Sequence, residues 1–250
     1  MYHNFIYQPI LNTLLWLYAA LGNNLGFAII ILTLFVRGIL IPFTLPQLRS
    51  AKKMALLKPE LDALKKKHGH DAKLFQQKQL EFYKTRGVNP AAGCLPFIAQ
   101  FIVLIALYQV FMNALGGTAL GESINTVFLW WNLKDKDATY VLPILAGVLQ
   151  LITSMTLLPA VENEPEKRPG TKEQKEDVAE MAQSMQQQMV FMMPVMTTIF
   201  AIQFPAGLAL YWVITTAFSL VQQLMVSGPG GLLVYAKKAQ KLFGGSHAKR

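Results

Sequence analysis

The sequence predicts an all-α membrane protein: five transmembrane helices with the N-terminus outside and the C-terminus inside, a cytoplasmic helical hairpin and an N-terminal interfacial helix. Three observations carry this. Of 250 residues, 53% are hydrophobic and only 15% charged, with a mean hydropathy of +0.33, far from an ordinary soluble domain. Five apolar segments read as spans: residues 25–46, 94–115, 140–161, 189–204 and 207–226. The cations are segregated: of 23 Lys and Arg, 11 lie in 47–93, 4 in 162–188 and 5 in 227–250, whereas 116–139 holds only Lys134 and Lys136 and 1–24 holds none. Cation-rich loops stay on the cytoplasmic side, which sets the orientation.

Taken in order, residues 1–24 contain FIYQPILNTLLWLYAAL, whose apolar positions 6, 10, 14, 17 and 21 form a helical stripe. The expected element is an interfacial amphipathic helix; a sixth span is the alternative, and it would upset the cation asymmetry. Segment 47–93 reads as a helical hairpin. Pro59 opens PELDALKKK, which contains Lys65, Lys66 and Lys67; HGHD turns with Asp71 as a cap, and AKLFQQKQLEFYKTR runs to Gly87. Its apolar positions are few, so weak packing is expected, with a solvated charged loop as the plainer reading. Segment 162–188 holds 7 acidic and 4 basic residues with Pro165 and Pro169, a flexible composition. The 189–204 span is short, about 24 Å at full helical rise, and Pro205-Ala206-Gly207 turns it tightly into the last span. The tail 227–250, with Lys237 and Lys238, is basic and suits anionic lipid or RNA.

Arg37 is the one charged residue in the five apolar segments, and none of them offers an Asp or Glu to pair with it. A lone guanidinium in hydrocarbon costs from about 2.5 to well over 10 kcal/mol, so Arg37 is expected to face a water-filled cavity open to one side of the membrane. Polar residues recur at helical spacing around this idea: Thr33 one turn before Arg37; Gln100; Gly147, Gln150 and Ser154; and Trp212, Thr215, Thr216, Ser219, Gln222 and Gln223. Singly, each fits a helix-to-helix hydrogen bond; together with Arg37, they are read as converging on a hydrated interior. The second and fourth spans, FIVLIALYQVFM and MVFMMPVMTTIF, are instead rich in Phe, Ile and Met. Flexible methionines suit variable apolar partners, and lipid-facing filler is the ordinary alternative.

Enzyme chemistry finds little support. His3, His68, His70 and His247 all lie outside the spans, His68 and His70 lack the further ligands a metal site needs, and no phosphate-cradling glycine loop is present. No metal, cofactor or nucleotide is expected. A proton-coupled transporter usually needs an intramembrane carboxylate or His, and the spans hold neither. The lone Cys94 excludes a disulfide framework. The opening residues lack a basic n-region and a small-residue cleavage site, so no cleaved signal peptide is expected, and no lipid-attachment cysteine is seen near the N-terminus.

The runs NLGFAIIILTLFVRGILIPFTLPQ, KKMALLKPELDALKKK, VNPAAGCLPFIAQFIVLIALYQVF, VLPILAGV and MMPVMTTIFAIQFPAGLALYWVITTAFSLVQQ closely resemble the YidC/Oxa1/Alb3 membrane protein insertases. The resemblance extends from about residue 16 to 226 and looks like a bacterial form reduced to the five-helix core; Thr216 departs from an Asn often found there. It implies a multi-pass protein of the bacterial plasma membrane that receives nascent transmembrane segments in a hydrophilic groove and releases them into lipid, alone or with the Sec translocon. The implied groove set is Arg37, Thr33, Gln100, Gln150, Trp212, Thr215 and Thr216. An apolar slide would be built from Phe101, Ile105, Met193, Met196 and Phe200. Lys65, Lys66, Lys67, Lys237 and Lys238 would meet ribosomes or a targeting particle, and the monomer is expected to act. A small-solute channel or transporter, and a purely structural assembly chaperone, are the competing classes.

Overall fold

A computed structural model of the chain describes residues 5, 7–69, 71–88, 100–101, 103–110, 124–157, 178–230 and 232–233. Cys94, most of loop 162–188, and the tail with Lys237 and Lys238 lie outside them. The elements are α1 (Gln8–Ala20), α2 (Leu25–Leu56), α3 (Lys58–His68), α4 (Ala72–Thr85), a helical piece at 103–110 termed α5, β1 (Val127–Phe128), β2 (Trp131–Asn132), α6 (Val141–Leu157), α7 (Val178–Gln203) and α8 (Ala206–Ser227). By length and composition, α2 and α8 are apolar enough to cross a membrane, and Val141–Thr156 and Phe191–Gln203 are shorter apolar helices.

Helix α1 forms where expected, and its buried face shares only part of the apolar stripe. Tyr7, Leu11, Leu14 and Leu17 are buried, Ile10 is partly buried and Leu21 lies on the surface. Of the stripe at 6, 10, 14, 17 and 21, positions 14 and 17 are therefore in the core and residue 6 lies outside the described residues, while Tyr7 and Leu11 join the buried face of a helix that packs on α2. Asn24 begins α2: its Oδ1 accepts from Phe27 N at 3.1 Å, satisfying one of the open N–H groups of the first turn. The helix does not stop at residue 46 with the apolar run. It continues to Leu56 through Pro42 and Pro46, because each proline removes only one ladder bond and QLRSAKKMAL is made largely of good helix formers.

The hairpin after α2 follows the sequence reading closely. Pro59 sits in the first turn of α3, and Asp71 Oδ1 caps α4 by accepting from Lys73 N at 3.1 Å and Leu74 N at 3.0 Å. Lys53 Nζ donates to Arg86 O at 2.6 Å, and Arg86 pairs with Glu60, tying the two arms to each other and to the end of α2. Likewise, the short span expected at 189–204 is the apolar end of a longer helix, the 26-residue α7.

Helices α2, α6, α7 and α8 form the bundle, with α6 packed on both α7 and α8, and α8 on α2. Gly147 permits the α6–α7 approach, since a Cβ there would lie 2.0 Å from Thr198 Oγ1. At one end, the β1–β2 hairpin and the residues that follow it, to Asp137, hold three helix starts at once. Phe128 lies over Gly26, where a Cβ would meet the ring at 2.1 Å, and Leu133 and Asp135 carbonyls accept from Gly207 N and Ala206 N at 2.9 and 2.7 Å. Those two N–H groups open α8, behind Pro205, and would otherwise lack partners. The α6 start is held by Asp137, which is buried. It accepts from Leu142 N at 2.8 Å, Thr139 N at 2.8 Å, Thr139 Oγ1 at 2.5 Å and Trp131 Nε1 at 3.0 Å.

Candidate functional site

Between α1, α2, α5 and α8 lies a cavity of about 90 Å³, room for several water molecules. Helix α2 lines it with Thr33, Arg37, Thr44 and Gln47, set at 33, 37, 44 and 47 so that helical periodicity turns all four to one side. Gln100 and Tyr211 face them. Ile10, Leu32, Val36, Leu40, Phe43, Val103 and Leu107 complete a largely apolar wall.

Arg37 is not without a partner, as its sequence surroundings suggested. Its Nη2 donates to Gln100 Oε1 at 2.5 Å, and Gln100 Nε2 in turn donates to Tyr211 Oη at 2.7 Å. The amide satisfies one N–H but supplies no countercharge, so the net positive charge stays in the cavity. Thr33 Oγ1 donates to Ile29 O at 2.6 Å, which leaves only its lone pairs for the cavity. Below Arg37, Gln222 Nε2 reaches Thr44 Oγ1 at 2.6 Å and Lys52 Nζ donates to Val226 O at 3.0 Å, stitching α2 to α8.

Of the residues expected to form the groove, the structure gathers Arg37, Thr33 and Gln100. Gln150, Trp212, Thr215 and Thr216 do not line the cavity. For Thr216 the reason is local: its Oγ1 donates to Trp212 O at 2.9 Å, as Ser219 Oγ does to Thr215 O, so these two hydroxyls serve their own helix, whereas the Thr215 hydroxyl is buried without such a bond. Tyr211, Thr44 and Gln47 were missed. Thr44 and Gln47 were within reach of sequence reasoning, being on the Thr33–Arg37 stripe. Asp137 was missed too, although Asp-Ala-Thr before an apolar run is a turn-and-cap pattern.

The residues read as an apolar slide lie on the surface. Phe101, Ile105, Met196 and Phe200 are exposed and Met193 is half-buried, and the two stretches meet where Tyr108 and Phe204 stack edge-on at 5.9 Å. Lys66 and Lys67 are exposed and Lys65 half-buried in the last turn of α3, where cations favour the helix dipole.

A helical bundle with long apolar helices, a cation-bearing cavity in its interior and exposed apolar faces suits a membrane protein. The 60Kd inner membrane protein family matches residues 16–229 of this chain. The chain belongs to that family, the YidC/Oxa1 membrane protein insertases. It is 32% identical over 229 residues to the membrane protein insertase MisCA of Bacillus subtilis (strain 168), covering 90% of this chain and 78% of that one. It is also 32% identical over 233 residues to the membrane protein insertase YidC 2 of Bacillus anthracis, covering 92% and 82%. The crystal structure of an active YidC insertase with its first transmembrane domain resolved superposes with a TM-score of 0.61 at 25% identity. That match covers 88% of this chain and 46% of the solved one.

Proposed function

We propose that this protein inserts nascent transmembrane segments into the bacterial plasma membrane, spanning it five times with its N-terminus outside. The observation that carries the reading is Arg37: a cation held by a neutral amide, inside a cavity whose described lining contains no carboxylate. A polar, acidic tail entering that cavity would shed part of its desolvation cost there and be attracted by Arg37, while its apolar helix lay against the exposed faces of α5 and α7. Hydrophobic transfer into lipid then drives release, assisted by the membrane potential. The α3–α4 hairpin and basic tail would receive substrate from a ribosome or targeting particle, with the Sec translocon as a further partner.

The test is reconstitution of the pure protein in liposomes with a single-span substrate carrying a short acidic tail. Protease-protected insertion above protein-free liposomes is expected. Absence of insertion, together with passage of a labelled small anion, would replace this reading with a channel.

A further inference from the structure

The β1–β2 turn is made of residues ill suited to it. Leu129 and Trp130 form a two-residue connection, and Leu129 takes a φ of +54°, a conformation that Gly or Asn adopts at far lower cost. Both side chains are 65% exposed, and Val127 beside them is 56% exposed. A local rule broken while two large apolar groups are held in the open marks a surface that meets something apolar. The base of the turn is rigid, since Phe128, Trp131 and Leu133 are buried and the carboxylate of Asp137 fixes Trp131. The tip therefore cannot fold back to cover itself.

Its level in the molecule identifies the occupant. The hairpin and the residues that follow it, to Asp137, hold the starts of α2, α6 and α8, so the hairpin sits in the plane where three apolar helices begin. Tyr140, Val141, Ile144, Leu145 and Val148 carry the exposed apolar surface onward along α6. Trp and Tyr collect at that depth in a bilayer because their rings are apolar and their N–H and O–H groups are not. Lys134 and Lys136, exposed just after β2, are the cations that phosphate headgroups would meet.

We propose that Leu129 and Trp130 are a fixed lipid anchor, seated in the outer leaflet at the boundary of headgroups and acyl chains. The leaflet follows from the insertase topology above; burial of the tip in lipid does not. A fluorophore on Leu129→Cys, in a Cys94→Ser background, is read in nanodiscs holding one copy of the protein in phosphatidylglycerol and phosphatidylcholine. Several-fold stronger quenching is expected from a nitroxide just below the headgroups than from aqueous iodide. Trp130→Tyr should preserve that ratio and Trp130→Glu should reverse it. A tip freely quenched by iodide in wild-type surroundings would overturn the anchor. So would shielding that appears only when several copies share a vesicle, since a second copy would then be the occupant. Sidedness is read separately from Lys134→Cys in intact vesicles. Labelling from the inside only would overturn the topology and the leaflet, while the quenching ratio still decides whether the tip is in lipid.

Discussion

Arg37 Nη2 donates to Gln100 Oε1 at 2.5 Å, so the cation of α2 is answered across the cavity by a neutral amide. Hydrogen bonds to charged groups contribute about 1.5–3 kcal/mol, and the loss is felt most when the charge stays behind. Gln100→Leu should therefore lower thermal stability in detergent by a few degrees, and Arg37→Ala should cost much less in that background than in the wild type. Strict additivity in this double-mutant cycle would mean the contact carries no energy.

The charge itself is tested with substrates. Arg37→Lys should keep most insertion activity, Arg37→Ala less, and Arg37→Glu least. For two substrates differing only in having two Asp or two Asn before the same apolar helix, Arg37→Ala should impair the Asp version more. Equal loss for both would leave Arg37 as a shaping residue.

Gly147→Ala should destabilise the bundle by about 1–3 kcal/mol, because the new Cβ overlaps Thr198 Oγ1 at 2.0 Å and approaches Pro194 O at 3.3 Å. Adding Thr198→Ala should recover part of the loss. An unchanged unfolding temperature in Gly147→Ala would show that α6 and α7 slide apart freely.

Asp137 gives an acid limit. Burial acts to raise its pKa, but the bonds from Thr139, Leu142 and Trp131 outweigh it and hold the carboxyl below the usual range. A depressed native value means the stabilisation is complete above the unfolded-state value and is lost as pH falls through the native one. Tryptophan fluorescence of the wild type should thus change in an acid step below the ordinary carboxylate range, and Asp137→Asn should lose that step while being less stable at neutral pH.

Deleting residues 60–85 should leave a folded bundle that inserts poorly, since only Phe75 within them is buried among its large apolar side chains. Circular dichroism and insertion read the two outcomes apart; collapse of the helical bundle would make the hairpin structural.

How much of this was legible varies with the kind of interaction. Caps and breakers act within four residues, so Pro59, Asp71, Gly87 and the Pro205 turn mark their elements correctly. Arg37 stood out because burial of charge is costly wherever the helix points. Which face of a helix is covered is decided by neighbours distant in sequence, so Tyr7 and Leu11 join Leu14 and Leu17 in the core although spacing alone did not single them out. For the same reason, the polar run of α8 was read as cavity lining although Thr216 and Ser219 turn back onto their own helix. Gln100 looked like one scattered amide; only the approach of α5 to α2 and α8 makes it a bridge between Arg37 and Tyr211.

Helix α2 passes through Pro42 and Pro46 and reaches α3 across Leu57 alone. Over 32 residues it is a strut of about 48 Å with the cavity near its middle and the hairpin at its tip. Neither proline can donate to the carbonyl four residues before it, which leaves Gly38 and Pro42 as the compliant joints of an otherwise stiff rod. No loop separates the hairpin from that rod, and its weakened stretch starts at Gly38, directly beside Arg37. Hairpin and cavity thus share one helix, α2, with only Leu57 between it and α3.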